Sequence, residues 1–368
     1  MNNREKEKEN LGQDRLSVLV VEDNEYMLDI FITALKRMGF ARTHRAKNAK
    51  EAVEYLRSTS KGFAGGEQVD IVISDLLMGA ISGEHLLQWL RDDKTSPNRF
   101  MPFIMISGAA DRVNVEAARD KGVTEFIAKP FSVESLYKVL QRIIDVPRQF
   151  VTSSTYFGPD RRRNAKAGPP GGTERRKPDE SHATIVYSKD RVEKAAKPSD
   201  VWLFKLPNFL KQKMGSNAMR SDFIIPQGIL QEAEAALKRE AEGFIGWAKE
   251  YLNRLSQQVS EAKTKVGDRT PAFEEINLIA HELRGQGGTF GYPLITVFAK
   301  SLYDVTKPPC TQDDNTLEIV KAHIDAMRAV MREKIEGDGG EVGQTLFKIL
   351  KQAINKYAPK QAEPAATA

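Results

Sequence analysis

This 368-residue chain predicts a doubly wound α/β domain with a five-stranded parallel sheet, followed by a basic linker and an all-α helix bundle. Three observations carry that prediction. Short apolar runs alternate five times with amphipathic stretches between residues 16 and 147. A Pro-, Gly- and Arg-rich span with no sustained apolar period follows. Beyond it, apolar residues recur at helical spacing to about residue 357.

The elements follow in order. LSVLVV reads as a buried strand, and Glu25 to Met38 as a helix with Met27, Leu28, Phe31, Leu35 and Met38 on one side. A weak strand near Thr43 precedes a helix near Lys50 to Arg57. DIVIS, PFIMI and TEFIA are the remaining strands, each followed by a helix: His85 to Leu90, Val113 to Lys121, and Val133 to Ile144. Helices are expected at Ile229 to Val259, Phe273 to Leu283, Leu294 to Val305, Leu317 to Ile335 and Val342 to Tyr357. Gly291 and Pro293 fit the end of one helix and the start of the next. Long helices with short connections suggest an antiparallel bundle. The expected partition is a charged tail at 1–15, the α/β domain at 16–147, a linker at 148–225, the helical domain at 226–358 and a tail at 359–368.

Composition narrows the class. Hydrophobic content of 40% and charged content of 29% suit a globular protein, and Cys310, the single cysteine, excludes an intramolecular disulfide or a cysteine-based metal cluster. MNNREKEKEN lacks the apolar core of a secretory signal, and no apolar run approaches bilayer length. A cytoplasmic location is expected. The net charge of +5 is modest, and the conspicuous basicity is local, in Arg161, Arg162, Arg163, Arg175, Arg176 and Lys177. YFGPDRRR reads as a solvated charge run, a docking peptide or an anion contact; nothing like a helix-turn-helix follows, which disfavours a nucleic-acid partner.

In open α/β sheets, ligands bind beyond the carboxyl ends of the strands. There the sequence places Glu22 and Asp23 after the first strand, Asp75 at the third, Ser107 at the fourth and Lys129 at the fifth. Clustered carboxylates call for a hard divalent cation, and Mg²⁺ suits oxygen ligands. A carboxylate nucleophile, a cation and two donors make a site for phosphoryl transfer.

Residues 16–147 thereby resemble a flavodoxin-like response-regulator receiver domain, on VLVVEDNE, DLLMGAISG, ISGAA and FIAKPF. The resemblance implies that Asp75 becomes an aspartyl phosphate and that Asp23, Asp75 and the Leu77 carbonyl bind Mg²⁺, with Glu22 assisting through water. It also implies a switch aromatic at Phe126 reporting on Ser107, and a cis Lys129–Pro130 bond. Gly79 replaces a proline common in the family, and STSKGFAGGEQ lengthens the loop before the third strand.

The stretch HELRGQGGTFG places Arg284, Gly285 and Gly288 on the helix face of His281. With Ile276, Ile279, Ala280 and Leu283 marking the apolar face, His281 is expected to point outward, an exposed nucleophile with cleared space around it. HELRG is similar to the signature of histidine-phosphotransfer domains, which are four-helix bundles, and the similarity spans roughly residues 228–336. It implies phosphotransfer through His281. Gly287 lies off that face. His44, His85, His182 and His323 read as structural or surface residues.

The reading is therefore a phosphorelay protein of a bacterial two-component system. A histidine kinase would phosphorylate Asp75, and His281 would exchange phosphoryl groups with this or another receiver. No ATP-binding kinase segment is evident. The alternative is a phosphorylation-switched interaction protein whose helical domain is a docking or dimerisation output.

Overall fold

The computed structural model describes residues 12–60, 68–78, 81–108, 112–161, 183–189, 200–264 and 267–357. Strands β1 (Ser17–Val21), β2 (Arg42–Ala46), β3 (Ile71–Asp75), β4 (Phe103–Ser107) and β5 (Glu125–Ala128) alternate with helices α1 (Glu25–Arg37), α2 (Ala49–Ser60), α3 (Gly83–Asp92), α4 (Arg112–Asp120) and α5 (Val133–Asp145). The strands form one parallel sheet in the order β2-β1-β3-β4-β5.

Burial explains the sequence of each strand. β1, β3 and β4 are buried along their whole length, as strands covered on both faces must be, and they are almost continuously apolar. β2, reading RTHRA, is an edge, where only Ala46 is fully buried. Asn24 caps α1 by accepting from the Met27 N–H at 3.1 Å, and Ser132 caps α5 through the Ser135 N–H at 3.1 Å.

Much of the span expected as linker is folded. β6 (Phe150–Thr152), β7 (Phe157–Pro159), β8 (Ala183–Val186) and β9 (Val201–Phe204) form a second sheet in the order β7-β6-β9-β8. Its core joins Phe150, Phe157, Val186 and Phe204 to Phe100, which precedes β4. The Phe100 ring stands 5.0–5.2 Å from those of Phe150, Phe157 and Phe204. Strands of three or four residues are too short to show a period, which is why the composition alone read as linker. Residues 61–67 of the long loop, Gly79 and the basic stretch from Arg162 to His182 lie outside the described residues.

Two short helices follow, α6 (Phe209–Met214) and α7 (Ser216–Arg220), and the chain then runs along α5. Phe223, 1% exposed, packs its ring against Tyr137 and Phe40, both at 6.1 Å. Its carbonyl accepts from the Tyr137 hydroxyl at 3.2 Å and from Gln141 Nε2 at 2.8 Å, while its N–H donates to Asp145 at 2.9 Å.

Two compact units divide the chain at Leu237 and Lys238, inside helix α8 (Gln227–Thr264). The second unit is helical: the remainder of α8, then α9 (Thr270–Gln286), α10 (Pro293–Thr306), α11 (Asp314–Arg332) and α12 (Gly340–Tyr357). Gly291 ends the stretch after α9 at φ +84°, a left-handed conformation that favours glycine, and Pro293 opens α10. Within this unit Phe244 stacks on Phe290 at 4.8 Å, and Arg269 pairs with Asp314 at 2.8 Å. Asn277 Nδ2 donates to the Tyr303 carbonyl and Thr306 Oγ1, both at 2.9 Å.

Candidate functional site

Parallel strands deliver their last residues to one rim, and here that rim collects charge. Asp75 ends β3, Ser107 ends β4, Lys129 follows β5, and Glu22 and Asp23 follow β1. Lys129 Nζ lies 2.6 Å from Asp75 Oδ2 and 3.1 Å from Glu22 Oε2, with all three residues buried. The Lys129 backbone N–H donates to the Ser107 carbonyl at 2.8 Å, which fixes the lysine to the β4 end. Asp75 Oδ1 accepts from the Leu76 N–H at 2.6 Å, leaving its carboxylate oriented along the rim.

Asp23 feels the crowding. Its carboxyl is pushed up to about 6, first by desolvation and then by the Asp75 carboxylate, with Lys129 opposing. The Asp23 side chain also reaches solvent, so water screens part of this penalty without reversing it. Three carboxylates facing one ammonium leave an excess of negative charge that a divalent cation would relieve. Among the described residues no group of three or more His, Cys, Asp or Glu is gathered as a ready metal cage. Mg²⁺ is a hard cation that takes oxygen ligands, and carboxylates supply them. The residues present therefore fit the ion.

Two further residues shape the rim and carried no role in the sequence reading. Gly83 approaches so closely that a Cβ there would stand 2.0 Å from the Asp75 carbonyl oxygen, and its N–H donates to the Leu76 carbonyl at 2.9 Å. Ser74 Oγ donates to the Asp75 carbonyl at 2.9 Å. The signal was a glycine opening a helix, in SGEHL. Leu77 is half-buried just beyond β3, and Phe126 is half-buried against the sheet core. The Lys129–Pro130 bond is cis.

His281 departs from expectation. It is 3% exposed rather than open, with its ring 5.8 Å from Tyr303 of α10. The Arg284 guanidinium lies 5.1 Å over the same ring. The physical reason is that α9 is buried on more than its apolar stripe: Glu282 and Gln286 are buried as well and bond to each other at 2.9 Å. Nor is the ground around His281 cleared: Gly285 is buried and Gly288 half-buried. Gly287 serves packing, since a Cβ there would meet Ile295 Cβ, Thr296 N and the Tyr292 oxygen at 2.8 Å. The Gly288 N–H donates to Thr296 Oγ1 at 2.8 Å.

Comparison with known proteins matches residues 18–141 to the response regulator receiver domain. The polar-differentiation response regulator DivK of Brucella anthropi is 28% identical over 125 residues, covering 34% of this chain and 93% of that protein. Its Brucella ovis counterpart is 27% identical over the same length. Among solved structures, the Vibrio cholerae chemotaxis protein CheY4 is 25% identical with a TM-score of 0.30, covering 35% of this chain and 98% of that one. The receiver domain of the sensor histidine kinase PA1611 from Pseudomonas aeruginosa PAO1, solved with a magnesium ion coordinated in its active site cleft, is 22% identical with a TM-score of 0.29. It covers 34% of this chain and 95% of that one.

Proposed function

We propose that this chain, whose N-terminal domain is a response regulator receiver, is a two-component signalling protein that accepts a phosphoryl group on Asp75 from a histidine kinase. The observation that carries this reading is the 2.6 Å contact of Lys129 Nζ with Asp75 Oδ2 at the common rim of β1, β3, β4 and β5. An Asp75 oxygen attacks phosphorus while the phosphohistidine nitrogen leaves. Lys129, already placed, holds charge on the incoming group, and the Ser107 hydroxyl stands at the neighbouring strand end to donate to it. Glu22, Asp23, Asp75 and the Leu77 carbonyl would hold Mg²⁺, which neutralises phosphoryl charge when bound.

The helical unit is then the output that the switch controls. The enclosure of His281 supports this reading over phosphotransfer, because a phosphoryl group cannot reach an imidazole that is 3% exposed without movement of α10. Phosphotransfer through His281 remains the second reading, favoured by the HELRG spacing and by Arg284 sharing Tyr303 with the imidazole.

Incubating the full chain with radiolabelled acetyl phosphate and Mg²⁺ tests the first reading. Base-labile label should appear and vanish in Asp75→Asn; label persisting in that variant refutes the site. The second reading requires acid-labile label on Asp75→Ala, supplied by a phosphorylated receiver and lost in His281→Gln.

A further inference from the structure

A cavity of about 540 Å³ opens at the edge of the main sheet opposite Asp75. Asp70, Pro102 and Thr124, which precede β3, β4 and β5, form one side, so the cavity lies at the amino ends of the strands. The other side belongs to the second sheet and the segment after it, through Phe150, Phe204 and Phe209. The cavity thus exists only because the span beyond the receiver folds back on it. Its size falls in the range of about 300–1,000 Å³ typical of small-molecule sites.

Charge and apolar surface are separated within it. Phe100, Phe150 and Phe204 make a tightly packed wall, and Phe209, 42% exposed, adds a fourth ring, with Lys189 over one face of it. Five cationic residues line the cavity, Arg99, Arg142, Arg148, Lys189 and Lys213, against the carboxylates Asp70 and Glu125. Lys213 pairs with Asp70 at 2.6 Å and Arg142 with Glu125 at 3.2 Å, so the lining keeps a surplus of positive charge. Lys189 Nζ lies 3.8 Å from the Phe209 ring centroid, and among the described residues it has no ion pair. Partial burial pushes its ammonium pKa down, with Asp70 pulling it up. A bound anion would relieve that desolvation.

We propose that this cavity binds a nucleotide, its flat base against the phenylalanine surface and its phosphate at Lys189. Free phosphate would use the cations alone; the aromatic side and the volume argue for a larger ligand with a planar portion, since bases stack on aromatic rings whatever their identity. Ammonium groups are ordinary phosphate partners.

The test is calorimetric titration of the full chain with the mono-, di- and triphosphates of adenosine and guanosine, with inorganic phosphate and pyrophosphate as controls. At least one nucleotide should bind with a Kd below 1 mM (on the order of −4 kcal/mol) and at least tenfold more tightly than either control. Lys189→Ala should weaken that binding at least tenfold while Asp75 still accepts label from acetyl phosphate. Val146→Trp, at a rim position that is 74% exposed and so carries little folding risk, should block it too. The proposal is overturned if no nucleotide binds below 1 mM, if phosphate or pyrophosphate binds as well as the best nucleotide, or if Lys189→Ala binds as the parent does. None of these outcomes depends on phosphorylation of Asp75, so they leave the receiver reading untouched.

Discussion

Val133 donates its backbone N–H to Glu234 Oε2 at 3.1 Å across 101 positions of sequence. Val133 is the first residue of α5, so this donor is among those a helix cannot satisfy internally, and a carboxylate there also meets the positive end of the helix dipole. The contact stands four residues beyond Lys129, on the segment that leaves the candidate site. Glu234→Ala should destabilise the protein by about 1 kcal/mol. Urea titration measures this, and Glu234→Gln should recover part of the loss. Faster amide exchange at Val133 in the alanine variant is the local readout; an unchanged rate would mean the contact contributes nothing.

Asp23 gives the apo receiver a pH dependence. Its folded-state pKa is raised from 3.8 to about 6, so between those values the folded protein holds more protons than the unfolded chain. Stability from this group therefore falls as pH rises through that window, and the full penalty remains above it. Asp23→Asn should be the more stable protein at pH 7 without metal, with the difference closing below pH 4. Millimolar Mg²⁺ should raise the Tm of the parent and leave the variant nearly unmoved. Scanning calorimetry with and without chelator reads both effects.

His323 works in the opposite sense. It is fully buried, with Nε2 2.9 Å from Ser301 Oγ and Nδ1 2.8 Å from the Ile319 carbonyl, and desolvation pushes its pKa down from 6.5 to about 4. The unfolded chain takes up the proton first as pH falls. The helical unit should hold its full stability above pH 6.5 and lose about 3 kcal/mol on acidification to pH 4. His323→Gln should flatten that portion of the curve, whatever its own stability. An equal slope in the variant would assign the acid sensitivity elsewhere.

Two helical-unit glycines should respond in opposite directions to alanine. A methyl group on Gly287 would stand 2.8 Å from three neighbouring atoms, two of them backbone atoms that cannot swing aside. Gly287→Ala should destabilise by about 1–3 kcal/mol. Gly246, inside α8, has nothing within 4 Å, and Gly246→Ala should stabilise by up to about 1 kcal/mol through helix propensity alone. Thermal melts of the two variants against the parent give the comparison directly.

The parallel sheet was legible because buried strands such as DIVIS and PFIMI are uninterrupted apolar runs, and because strand ends in this topology converge. That convergence made Glu22, Asp75 and Lys129 neighbours on the strength of strand order alone. Gly83 was not legible as part of the site, since a required close approach to the Asp75 carbonyl depends on a loop path that spacing does not reveal. His281 was misplaced because helical periodicity identifies an apolar face but cannot tell that the other faces are covered too. The second sheet hid in a Pro- and Gly-rich span because its phenylalanines meet only in three dimensions, around Phe100.

Phe223 sets where this protein can be cut. The family match ends at residue 141, yet the α5 surface of Tyr137, Gln141 and Asp145 is covered by a segment some eighty residues downstream. A fragment ending near residue 147 would present Phe40 and Tyr137 bare to water, and aggregation on expression would be its natural fate. The smallest piece that carries its own cover runs past Ile225. Heredity and folding draw the edge of this domain in different places, and an expression vector should follow the second.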